Sequence, residues 1–128
     1  MHLHGHDFAI LKTGNNSIDD FASGKAFQNL TYNNPPRRDV VQIVAGGYVI
    51  IAFKADNPGS WLMHCHIAWH ASAGLALQIL ERQDELIKIL SPPNKLVQTR
   101  KGCETWATWF ANKNNLWDKD VFQDDAGI

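Results

Sequence analysis

Apolar residues in this chain fall into short runs parted by turn formers, not into long helical stripes. Residues 6–12, HDFAILK, read as a strand, and TGNNS (13–17) as a turn. Residues 18–34 are polar and mixed, and NNPPRR (33–38) is a loop by its prolines. DVVQIV (39–44) and GYVIIAFKA (47–55) are β-branched and aromatic runs; AGG between them predicts a hairpin or tight connection. DNPGS (56–60) is a further turn. WLMHCH (61–66) and the alternating GLALQILE (74–81) are strands, joined by IAWHASA, a turn or a single helical turn. SPP (91–93) ends the strand-rich part. Beyond it Leu96, Arg100, Cys103, Trp106 and Phe110 recur at steps of three or four, which predicts an amphipathic helix over 95–111. The last stretch, NNLWDKDVFQDDAGI, has no clear period. The order predicts an all-β sandwich or barrel over residues 1–90 and a helical extension over 91–128.

Composition narrows the function classes. With 128 residues the chain can build one domain with a real core. A formal net charge of −1 offers no electrostatic basis for nucleic acid or an anionic membrane surface. The longest apolar run, IVAGGYVIIAF (43–53), is interrupted by two glycines and is shorter than a membrane span. MHLHGHDF has no basic region, apolar stretch or cleavage site, so it is not a signal peptide. It leads straight into a histidine cluster, which suggests a piece of something longer. Cys65 and Cys103 by number alone decide nothing about redox compartment.

All six histidines lie in two windows, 2–6 and 64–70. Scattered surface or core histidines do not cluster in this way, so the distribution predicts metal binding. Side chains alternate along a strand, so His64 and His66 share one face of WLMHCH and Cys65 takes the other. One tripeptide can then serve two metal sites. His2 and His4 share a face likewise, and His6 joins them unless Gly5 bends the chain. A structural zinc site wants four closed ligands, usually with paired cysteines; here one cysteine lies among imidazoles, the donor set of a blue-copper site. His70, five residues after Cys65, can turn back to the Cys65 face. The axial position falls to Leu75, which cannot donate. Met63 is strand packing. A site without a thioether has a raised reduction potential. At this level a single-domain blue-copper electron carrier and a zinc-stabilised β-domain both stay open.

HLHGHDF together with WLMHCHIAWHASAGL resembles the third and fourth copper-binding motifs of the multicopper oxidases, specifically the ascomycete-type fungal laccases. NPPRRDV, AFKADNPGSWLMHCH and the ending DAGI resemble the same group. The resemblance covers nearly the whole chain, but only the C-terminal domain of a protein that normally has three. It implies a Greek-key cupredoxin-like β-sandwich and type 1, type 2 and type 3 copper. Cys65 and His70 resemble the type 1 ligands, with Leu75 at the non-ligating axial position. His64, His66 and His4 resemble type 3 ligands, and His2 the type 2 ligand. His6 falls in the motif without being a ligand, which implies a supporting or core role. The implied activity is one-electron oxidation of a phenolic or aromatic reductant, with electrons passing through Cys65 to His64 and His66 and dioxygen reduced to water. A ferroxidase is the nearest alternative within the family.

The departures shape the expectation. The family motif reads H-P-x-H-x-H-G, and Met1 stands at its x, so the second type 1 histidine lies before this chain. The trinuclear cluster also draws histidines from an N-terminal domain, in HxHG and HxH motifs absent here. The chain supplies two of the three strong type 1 ligands and four of the eight trinuclear histidines, and is expected to be inactive alone. Apolar surface that meets the other cupredoxin domains should be exposed. The resemblance pairs Cys103 with a cysteine of the N-terminal domain; an unpaired thiol is the plain alternative. DAGI resembles a channel-plugging tail, with Ala126 as a departure. Asn15 (NNS) and Asn29 (NLT) are glycosylation sequons, in keeping with a secreted parent protein.

Overall fold

The computed structural model describes residues 1–112. The strands are β1 (His2–Leu3), β2 (Phe8–Gly14), β3 (Arg37–Arg38), β4 (Tyr48–Ala52), β5 (Gly59–His64) and β6 (Ala76–Glu81). They form two three-stranded antiparallel sheets, ordered β1-β5-β6 and β3-β2-β4, the two layers of a β-sandwich. Leu3 from one sheet and Phe8 and Tyr48 from the other are buried, together with Ala9 and Ala26. Helices α1 (Ser17–Ala22) and α2 (Ala68–Ser72) sit in connections; α3 (Gln83–Leu90) and α4 (Val97–Ala111) follow the last strand. Among the described residues no helix is long and apolar enough to cross a membrane. The DAGI ending lies outside the described residues.

Strands β2, β4, β5 and β6 arise where period-two runs predict them, and α4 where the 3.6-residue period does. Residues 39–44 depart from expectation. They form no hairpin with the next run, because β4 pairs with β2 instead. The chain leaves β3 and crosses to the other sheet, where residues 39–41 flank β1. There Leu3 N–H donates to Asp39 O, Val41 N–H to Met1 O, and the Met1 amino group to Val41 O. A β-branched run describes a half-buried extended surface, and its partner is chosen by the tertiary fold. The loop read from NNPPRR contributes β3 at Arg37–Arg38.

Two short helices escape the period. In α1, Asn16 caps the N-terminus by accepting from Asp19 N–H at 3.3 Å, satisfying a donor the helix cannot. In α3, Asp84 and Glu85 occupy the first turn and Lys88 the last, the arrangement the helix dipole favours. Strand β5 ends at His64, two residues earlier than the sequence predicts, and β6 begins at Ala76. Cys65 N–H still donates to Leu75 O at 3.0 Å, so pairing continues one step past the ladder.

Candidate metal centre

The end of β5 meets the start of the chain. Register pairs His2 with His64 and Leu3 with Met63, and His4 N–H donates to Leu62 O at 2.9 Å. This pairing brings residues sixty positions apart onto one surface. A ring nitrogen from each of His2, His4 and His64 lies within 4.8 Å of the others. His64 is fully buried; His2 and His4 are half-buried in an open cleft of about 430 Å³ that Asp39 also lines. The His66 ring lies beside this group, 5.6 Å from that of His64 and 5.9 Å from that of His2, centre to centre.

Hydrogen bonds settle which nitrogens are free. His2 Nδ1 lies 2.9 Å from Asp39 O, and His64 Nδ1 lies 2.9 Å from Cys65 O. A carbonyl can only accept, so each Nδ1 carries the proton and each Nε2 keeps its lone pair. His4 Nε2 is 3.1 Å from the bare His64 Nε2, so a proton or a cation must lie between them. His4 is held below the ordinary histidine range, first by burial and then by repulsion from His2, His64 and His66. Its neutral form, the form that binds metals, is thereby favoured.

The opposite face carries the thiol. After His64 the chain bends, and α2 returns His70 so that its Nδ1 lies 3.5 Å from Cys65 Sγ. Leu75 N–H donates to His70 O at 3.0 Å, which places Leu75 beside the same pair. An apolar cleft of about 800 Å³ opens here, lined by Met1, Ile51, Met63, Cys65, His70 and Leu75 among others. The Cys65–His70 pair and the His2–His4–His64 group are joined through the short backbone step from His64 to Cys65, and His66 borders the thiol cleft as well. The donor chemistry fits copper on both sides: pinned imidazoles with free lone pairs, and a single polarisable thiol in place of the paired cysteines of a closed zinc site. Cys103 lies exposed on α4 as a free thiol.

His6 stays out of the cluster. Gly5 adopts φ +71°, a left-handed turn that sends His6 inward. Its Nδ1 donates to His4 O at 3.0 Å, and its Nε2 faces the Glu81 carboxylate, 3.1 Å from Oε1 and 3.2 Å from Oε2. Only Oε2 lies in line to accept; buried Oε1 receives no hydrogen bond. Trp61 lies against Gly5 and donates from Nε1 to Asn57 O at 2.8 Å, while Asn57 Nδ2 donates to Gly5 O at 3.0 Å. Sequence reasoning missed Asp39, Glu81, Trp61 and Asn57. The one local signal was Glu81, a carboxylate closing an apolar strand.

The multicopper oxidase family model matches residues 1–85. A laccase of Arthroderma benhamiae is 49% identical over 131 residues, an alignment spanning all of this chain and 20% of that protein. Laccase-1 of Botryotinia fuckeliana is 43% identical over 129 residues, with the same coverage of both. Among solved structures, the laccase from Botrytis aclada superposes with a TM-score of 0.63 at 43% identity, over 99% of this chain and 21% of that one. A mutant of the same laccase gives 0.70 at 39% identity. This chain therefore spans about a fifth of the length of the relatives it matches. Family match, sequence identity and superposition agree: the chain belongs to the multicopper oxidases.

Proposed function

We propose that these residues form the C-terminal copper-binding part of a laccase-type oxidase, which oxidises phenols one electron at a time and reduces dioxygen to water. The observation that carries this is the position of Cys65: its Sγ meets His70 on one face, while its neighbour His64 joins His2 and His4 on the other. In this reading Cys65 and His70 hold type 1 copper, with Leu75 beside it and not donating. His4, His64 and His66 hold the type 3 pair, and His2 the type 2 ion. Copper bound there supplies one-electron redox chemistry. The chain's own part is to aim His2 and His64, through the Asp39 and Cys65 carbonyls. It also separates the two donor sets by no more than the bonds of a tripeptide.

Other donors come from N-terminal cupredoxin domains, in keeping with the fifth of the relatives' length found here. Exposed Leu77 and Leu80 on β6 and Trp106 and Phe110 on α4 suit a surface that those domains cover. Residues 1–90 form the cupredoxin-like unit in this reading and 91–128 its tail. Exposed sequon asparagines Asn15 and Asn29 support a secreted parent. The test replaces the C-terminal fifth of a fungal laccase with these residues. The chimera is expected to oxidise a phenol with uptake of dioxygen, and its Cys65→Ser form to do neither. A folded, copper-loaded chimera that leaves phenols untouched overturns the proposal, as does turnover by the 128-residue chain alone.

A further inference from the structure

The His6 and Glu81 side chains are buried against each other; His6 borders the three-histidine cleft, but both its ring nitrogens are engaged, by His4 O and by Glu81. The cluster reaches them through the backbone. The ladder between β1 and β5 ends at Leu3, and one further bond, from His4 N–H to Leu62 O, holds the next residue. Beyond it the chain turns at Gly5, and the His4 carbonyl takes its donor from the His6 ring. The far edge of that ring rests on Glu81, the last residue of β6, which lies opposite Gly59 on β5. His4 is thus tied at N–H by one strand and at C=O by an anchor on another. Nε2 lies at the far end of the His4 side chain, so any tilt of this peptide is magnified at the atom facing His64.

From this geometry we infer that His6 is a positioning residue for His4: its Nδ1–H sets the His4 peptide, and Glu81 sets the His6 ring. The inference rests on the reading above that His4 binds copper. A pair that served only the packing of β6 would give stability without any bond to the His4 carbonyl. Here the same ring spans both, so its loss should act on metal binding through His4 in particular.

The test uses the 128-residue chain, with Cu(II) dissociation constants measured by chelator competition and unfolding midpoints on the same samples. His6→Gln keeps an amide donor for Glu81 but has no donor at the Nδ1 position. It is expected to weaken Cu(II) binding about tenfold, and to have no further effect in the His4→Ala background. Glu81→Ala should show the same coupling to His4, and Glu81→Gln should restore affinity to within about twofold, because its amide can again hold Nε2. Equal losses with and without His4, or no loss from either substitution, would overturn the inference while leaving the copper site standing. If His4→Ala binds Cu(II) as tightly as the unsubstituted chain, the site reading itself fails and this inference falls with it. Should His6→Gln not fold, the Glu81→Ala and Glu81→Gln pair carries the same decision.

Discussion

Replacing Gly5 by alanine should damage both the fold and the metal centre, and the size of the damage follows from two separate causes. Gly5 sits at φ +71°, where an L side chain meets the following carbonyl; this costs about 1–2 kcal/mol. A Cβ there would also stand 2.5 Å from Trp61 Cδ2 and Cε3, far inside contact distance. The indole lies close over Gly59 as well, where a Cβ would meet it at 2.6 Å, and its Nε1–H is held by Asn57 O, so it has little freedom to step back. Overpacking of this kind costs roughly 1–3 kcal/mol. The sum, about 2–5 kcal/mol, is a large share of the roughly 5–15 kcal/mol that holds a domain together. Urea unfolding of Gly5→Ala reads the sum. The same substitution in a Trp61→Leu background reads the backbone part alone and should cost only about 1–2 kcal/mol. An equal cost in both backgrounds would refute the role given to Trp61. A cost below about 0.5 kcal/mol in either would refute the requirement for a left-handed turn.

Three further outcomes are expected. His4 lies below its ordinary value of 6.5, so the unfolded chain takes up that proton first. The stability of the metal-free chain is therefore full above about 6.5 and falls as pH drops toward the folded value. Urea midpoints across this range should slope, and His4→Gln should flatten the slope; an unchanged slope rejects the assignment. Cu(II) added to the chain should give visible thiolate-to-copper absorption that Cys65→Ser abolishes, while binding at the three histidines persists; absorption surviving in the serine form would exclude Cys65 as its source. Asn16→Ala removes the cap of α1 and should cost about 1 kcal/mol in urea unfolding, and no measurable change would show that the cap adds nothing to this short helix.

Local chemistry wrote much of the site into the sequence. Alternation along a strand predicts that Cys65 and His64 face opposite ways, as the structure has them, but β5 ends at His64 and His66 borders the thiol cleft too. Spacing alone returns His70 to the thiol, since one helical turn covers the distance. Clustering of every histidine in two windows marks metal binding without any coordinates. The pairing of the two windows is another matter. It needs residues 2–4 to lie against residues 62–64, and no local pattern specifies a contact across sixty residues. Short helices such as α1 and α3 offer too few turns for a period to register. Residues 39–44 have strand composition, but whether they pair with the next run or cross to β1 depends on which edge is open.

His6 and Glu81 mark the boundary most sharply. Composition places glutamate on the surface, because a buried carboxylate without a partner is too costly. Tertiary structure alone brings the two together, His6 from the segment after β1 and Glu81 from the end of β6, and lets each offset the other's loss of water. The sequence determined which side chains could bind copper and that His64 and Cys65 would face opposite ways. The folded chain decided where the two faces meet and what holds His4 in place, because hydrogen bonds between distant strands form only when the whole sheet does.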